Sequence, residues 1–252
     1  MNRKKIYLGL ILAALGLIGT ASLLTMDFAL PAEIEAELKE NFTPIQIKLL
    51  LLINPAILVI VAAIVGTLLF QKVNLRVPII EKWVGIHKEP WDINGIIRSG
   101  VVGGIITGIV VVLVVLLFKP MMLAEYEKLS QSLQLTLAAR FLFGGISEEI
   151  LLRFGLMTLI VWLSAKVLKG TKPAAYWTGI VLAAVLFAIG HFPAVYGVIE
   201  NPGIVLLTYV FIGNAVGGLI FGWLYWKKGL ESAFVGHVFL HVVLVIADRL
   251  II

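Results

Sequence analysis

Two adjacent acids, Glu148-Glu149, stand inside an apolar stretch with Arg153 four residues beyond the second, and three of the four histidines, His191, His237 and His241, lie in later apolar stretches. Carboxylates and imidazoles are the side chains that take and return protons near neutral pH. Held within a bilayer they are costly, and they default to functional residues there. On a helix Glu149 and Arg153 fall one turn apart on one face, while Glu148 projects about 100° away. Arg153 can offset the charge of Glu149 and hydrogen-bond it, which suits a supporting pair. Glu148 is left without a counter-charge, the setting of a general base. The plainer alternative is a buried ion pair with Glu148 reaching a membrane interface.

His237 and His241 share a helical face at i,i+4 spacing, an arrangement able to hold an oxyanion or a metal ion. Val238 stands where the helical zinc-protease motif His-Glu-x-x-His has its glutamate, so that motif is absent. His191 closes an apolar helix with Phe187 one turn before it; alone, it reads as an interfacial or capping residue. His87, beside Lys88 in a polar connection, reads as surface. Ser147 precedes Glu148 without an adjacent histidine or lysine to activate it, and terminal Asp248 is the one aspartate within an apolar segment, which excludes an intramembrane aspartate dyad.

These groups need elements to position them. The chain has 252 residues, 60% hydrophobic and 14% charged, with mean hydropathy +1.04. That composition is far poorer in charge than a soluble domain and implies an all-α polytopic membrane protein, a single membrane domain over residues 1–252. The net charge of +5 comes mostly from short segments beside apolar runs, which suits anionic lipid headgroups and argues against nucleic-acid binding. Without cysteine there are no disulfides, thiolate nucleophiles or Cys-based metal sites.

Apolar segments run from Ile6 to Leu24, Ile47 to Phe70, Gly100 to Phe118, Leu137 to Leu163, Tyr176 to Phe192, Ile204 to Trp226, and Phe234 to Ile251. Each is long enough to cross about 30 Å of hydrocarbon as helix. The first follows Arg3-Lys4-Lys5 as a signal peptide would. It lacks a small-residue cleavage site before Met26-Asp27-Phe28 and is expected to remain as a span. The fourth segment, long and holding Gly144-Gly145, is expected to be tilted, kinked or broken, with room for an eighth span or a re-entrant piece. Pro31 to Asn41 and Gln71 to Arg98 read as amphipathic interfacial stretches. Seven spans put the basic clusters on one side and the acidic Asp27 to Glu40 stretch on the other, so the positive-inside rule puts the N-terminus in the cytoplasm. The series Gly100, Gly104, Gly108 and the pairs Gly213/Gly217 and Gly218/Gly222 predict close helix packing.

Glu-Glu-x-x-x-Arg at 148–153, Phe-x-x-x-His at 187–191 and His-x-x-x-His at 237–241, in that order across successive helices, resemble the CPBP family, which comprises CAAX prenyl endopeptidases of the Rce1 type and Abi-type bacteriocin-processing membrane proteases. The resemblance covers 137–251 as catalytic core, with 1–136 as additional N-terminal helices. Gly213-Asn214, Gly217-Gly218 and the stretch from Lys228 to Ala233 add to it. It implies a multi-pass protein of the cell membrane, or of the endoplasmic reticulum membrane in a eukaryote. Its partners would be membrane lipids and a membrane-associated peptide, prenylated in the CAAX branch but not in every member. It also implies that Glu148 activates water with His191 assisting, that Glu149 and Arg153 support the site, and that His237 stabilises the oxyanion. The family's fourth position, often asparagine, falls on His241. The expectation is a glutamate-type intramembrane endopeptidase that needs no cofactor or metal, with a metal-dependent version left open by His241. From another class, a proton-coupled transporter would use the same residue types, but the two halves show no matching motifs of the kind transporter repeats leave.

Overall fold

In hydrocarbon every backbone N–H and C=O must be paired within the protein, and for an open chain the helix is the conformation that achieves this. The computed structural model describes residues 2–28, 30–87 and 90–250. It has seven helices long and apolar enough to cross a membrane: Arg3–Thr25, Pro44–Val73, Ile93–Met121, Ala139–Val167, Pro173–Tyr196, Ile204–Lys228 and Leu230–Leu250, called spans 1 to 7 in chain order. No strand occurs among the described residues. The protein is an all-α polytopic membrane bundle, and each expected apolar segment coincides with one span; Ile251, the expected end of the last, and Lys88 lie outside the described residues. Large apolar side chains such as Leu10, Ile57, Leu113 and Leu186 are exposed along the spans, as a lipid-facing surface requires.

Short helices lie in the connections. Ala32–Asn41 and Leu123–Ser132 fall on the face reached at the end of span 1, and Pro78–Trp83 on the N-terminal face, where Trp83 is 80% exposed. Ala32–Asn41 is the acidic amphipathic stretch expected between spans 1 and 2.

Of the tilt, kink or break expected in span 4, a break does not occur. The span stays continuous, but over Ala139–Glu148 and Ile150–Met157 it winds as π-helix before resuming α-geometry at Thr158. The Thr158 hydroxyl donates to the Arg153 carbonyl five residues back (3.1 Å). Gly144-Gly145, read from sequence as a point of weakness, instead lets span 4 approach span 7. A Cβ on Gly145 would stand 2.5 Å from the Val238 side chain, and one on Gly144 would stand 2.6 Å from His241 Nε2.

The series on span 3 packs as expected: Cβ atoms at Gly100, Gly104 and Gly108 would collide with Val235, the Gly236 carbonyl and Val243 of span 7. Gly218 and Gly222 likewise meet Ala184 and Ile180 of span 5. Gly213 and Gly217 do not, which corrects the expectation for that pair: Gly213 has nothing within 4 Å, and both line a cavity.

Spans 6 and 7 are joined by Gly229 alone, at φ +102°, a value that L side chains rarely adopt. The turn is fastened from outside. Leu230 N–H donates to the Arg76 carbonyl (3.1 Å), and the Glu231 carboxylate accepts from the Ile79 and Ile80 N–H groups (2.9 and 3.1 Å) at the start of the Pro78–Trp83 helix.

Candidate active site

Span 4 carries Glu148 and Glu149 on different aspects of one turn. Glu149 is fully buried, and its Oε2 lies 3.1 Å from Arg153 Nε, an ion pair whose N–H direction is too oblique for a hydrogen bond. Its other oxygen lies 2.8 Å from His237 Nδ1 on span 7. The carboxylate bridges two helices. Arg153, itself 1% exposed, spreads its guanidinium over Phe187 of span 5 (4.9 Å to the ring centre) and Phe221 of span 6 (5.7 Å). Cation–π contacts and the paired acid thus share the burial of this arginine.

Glu148 turns the other way, with its side chain 16% exposed, and lines a cavity of about 570 Å³. Among the described residues it is the one acid in that lining, which also includes His191, His237, His241, Asn214 and Arg140 among mostly apolar side chains. His237 Nε2 is 3.8 Å from Glu148 Oε2. An ionised carboxylate accepts and does not donate, so the hydrogen on His237 Nδ1 belongs to its bond with Glu149. Nε2 of the neutral ring is therefore an acceptor, and it becomes a donor when the ring is an imidazolium.

The two histidines of span 7 stack at 5.0 Å with 17° between their planes, and Phe221 stacks on the other side of His237, also at 5.0 Å. His241 Nδ1 is buried without a hydrogen-bond partner. The absent side chain of Gly144 leaves room for both rings, since a Cβ there would lie 2.6 Å from His241 Nε2 and 3.6 Å from His237 Nε2.

His191 ends the main helix of span 5. Its Nδ1 lies 2.8 Å from the Phe187 carbonyl, which fixes the hydrogen on Nδ1 and leaves Nε2 as acceptor, and its ring packs edge-on against Phe187 at 4.7 Å. Counting along helices puts His191 near one membrane edge and His237 nearer the other. The difference in depth is bridged by the cavity, which both rings line, and by the lean of His191 toward the N-terminus of its own helix.

All six residues singled out in the sequence thus gather around one cavity wall: Glu148, His191, His237 and His241 on its surface, Glu149 and Arg153 behind it. Ser147 is elsewhere in function, since its buried hydroxyl donates to the Gly16 carbonyl of span 1 (2.8 Å) and ties spans 1 and 4 together. Two further polar residues line the wall: Asn214, which the sequence offered only as part of the family resemblance, and Arg140, which it did not single out. Asn214 is an amide in an otherwise apolar span, its Nδ2 donating to the Val210 carbonyl (2.8 Å); Arg140, at the start of span 4, pairs with Asp248 (3.1 Å). Both were visible as polar residues at the edges or within apolar runs. For a metal ion the available donors are Glu148 and the Nε2 atoms of the three histidines, but among the described residues no three histidine, aspartate or glutamate side chains are gathered as such a site requires.

Residues 130–243 match the family model of type II CAAX prenyl endopeptidase Rce1-like proteins. The match contains Arg140, Glu148, Glu149, Arg153, His191, Asn214, His237 and His241 and leaves spans 1 to 3 outside it. This part of the chain is similar to the Rce1-like family, which is described as type II CAAX prenyl endopeptidases. No curated protein and no solved structure matches the chain.

Proposed function

We propose that the protein is a glutamate-type intramembrane endopeptidase that hydrolyses a peptide bond of a membrane-associated peptide. The observation that carries this reading is the division of labour between adjacent acids. Glu149 is consumed by Arg153 and His237, whereas Glu148 faces the cavity beside His237 Nε2.

In the proposed reaction Glu148 takes a proton from water as its oxygen adds to the substrate carbonyl carbon. His191, with its Nε2 free to accept, holds the second hydrogen of that water. The tetrahedral oxyanion is met by His237, which enters the cycle as an imidazolium carrying a second proton taken up from solvent through the cavity and keeps it throughout, held in place by Glu149, and by His241 beside it. Glu148 then returns its proton to the leaving nitrogen as the C–N bond breaks, giving a carboxylic acid and an amine. Donation by His237 depends on Glu149, a dependence that the sequence does not reveal. The Glu149–Arg153 pair is thus a positioning element for span 7 rather than a neutral filler. No step requires a metal ion.

The test is Glu148→Gln. A shape-preserving loss of the base should leave the bundle folded and lower cleavage of a reporter peptide about 100-fold or more. Turnover near that of wild type by folded E148Q protein would reject Glu148 as the base.

A further inference from the structure

We infer that the site opens on the non-cytoplasmic side of the membrane and takes its peptide from that leaflet. The cavity supplies the first half of the argument. Its wall includes Leu23, Val111, Ala194 and Leu244 from the later parts of spans 1, 3, 5 and 7, and Arg140 and Tyr209 from the early parts of spans 4 and 6. In a chain that crosses at every span, those positions all lie toward the face opposite the N-terminus. Among the described residues, none of the connections on the N-terminal face, 74–92, 168–172 and Gly229, contributes to the wall. The rim is instead built by Phe28 and Leu30 after span 1 and by Leu129 and Leu133 of the connection before span 4.

Charge supplies the second half independently. Thirteen of the twenty lysines and arginines lie in or beside the N-terminal-face connections, against six on the opposite face, where nine of the fifteen acids lie. Basic residues near short connections stay in the cytoplasm. The basic face and the cavity mouth are therefore on opposite sides of the bilayer.

The substrate class follows, given the peptidase reading above. A largely apolar cavity opening to the outer leaflet admits an apolar or lipid-bearing peptide segment already exported or exposed there. A cytosolic carboxyl-terminal tail would have to cross the basic face and the full depth of the bundle to meet Glu148.

The natural chain has no cysteine, so single introduced thiols report their side without background. Full-length S132C (the exposed end of the Leu123–Ser132 helix), A194C (cavity wall) and K172C (between spans 4 and 5) would be treated with a membrane-impermeant maleimide in right-side-out and inside-out bacterial vesicles. Ser132 and Ala194 thiols should label right-side-out and the Lys172 thiol inside-out. Labelling of A194C from the same side as K172C, or of S132C and A194C from the inside-out preparation alone, overturns the inference, as does an A194C thiol that stays unlabelled from outside while S132C labels. Labelling reads no cleavage. A quenched apolar reporter peptide added to vesicles of both orientations bearing the unsubstituted chain separates the two ideas: cleavage confined to inside-out vesicles overturns the orientation, whereas expected labelling of the thiol variants with cleavage from neither side removes the peptidase reading and leaves the orientation standing.

Discussion

Replacing Gly144 by alanine adds one methyl group at the point where two imidazoles meet span 4. The new Cβ would stand 2.6 Å from His241 Nε2, whereas uncrowded non-bonded heavy atoms stay roughly 3.5 Å apart. Relief therefore needs a displacement of about 1 Å, shared between the ring and the helix. His241 cannot yield freely, because its ring stacks on His237, which Glu149 and Phe221 hold in place. Overpacking of this kind costs about 1–3 kcal/mol, which should leave a folded protein. A misplacement of about 1 Å in a catalytic group costs on the order of 100-fold in rate. G144A should accordingly lose far more activity than stability, read as kcat/KM on a reporter peptide beside SDS-induced unfolding in mixed micelles. Gly213→Ala is the control, since that methyl meets nothing within 4 Å. A second change, His241→Asn, removes the ring atom that the methyl strikes and should restore part of the loss in the G144A background. Equal activities for G144A and G213A, or no recovery in the double variant, would refute the steric argument.

Glu149→Gln should destabilise the protein by about 3–5 kcal/mol by leaving Arg153 buried without its counter-charge; the double variant E149Q/R153M should regain most of that in the same unfolding assay, and a single variant within about 1 kcal/mol of wild type would contradict a buried pair. Ser147→Ala should cost about 1 kcal/mol through the lost bond to Gly16 and leave turnover nearly unchanged, whereas abolished turnover in folded protein would return the hydroxyl to the chemistry. Cleavage should persist after stringent metal removal with elemental analysis of the same sample; activity lost together with stoichiometric zinc and restored by adding it back would replace the mechanism with a metallopeptidase.

The seven spans were legible because lipid imposes a length and an apolarity that a linear sequence displays directly. The wall residues were legible for the converse reason: Glu148, His191 and His237 are conspicuous where polarity is expensive. Hydrogen-bond partnership was not. Whether Glu149 serves Arg153 alone or also fixes the tautomer of His237 depends on the rotation of span 7 against span 4, which no local pattern encodes. The packing role of Gly144 was hidden for a related reason, because glycine looks alike in sequence whether it loosens a helix or admits a neighbour. The π-winding of span 4 had no sequence signal that periodicity could detect. Asn214 was legible only as part of the family resemblance, and Arg140 not at all, because a guanidinium at the end of an apolar run looks like an ordinary interfacial residue until the cavity is seen.

The fastening of the turn at Gly229 has a mechanical consequence. Spans 6 and 7 form a pair of arms joined at one end by a single residue, and that end is pinned to the connection after span 2 through Leu230 and Glu231. A side chain on Gly229 would strike the Pro78 ring, so the joint has little slack. Arms clamped at their base can part mainly at their tips, like tweezers. The tips are where Tyr209 and Leu244 border the cavity mouth. Widening to admit a bulky chain should therefore grow with distance from the joint, while His237, seated between joint and tips and held by Glu149, moves least.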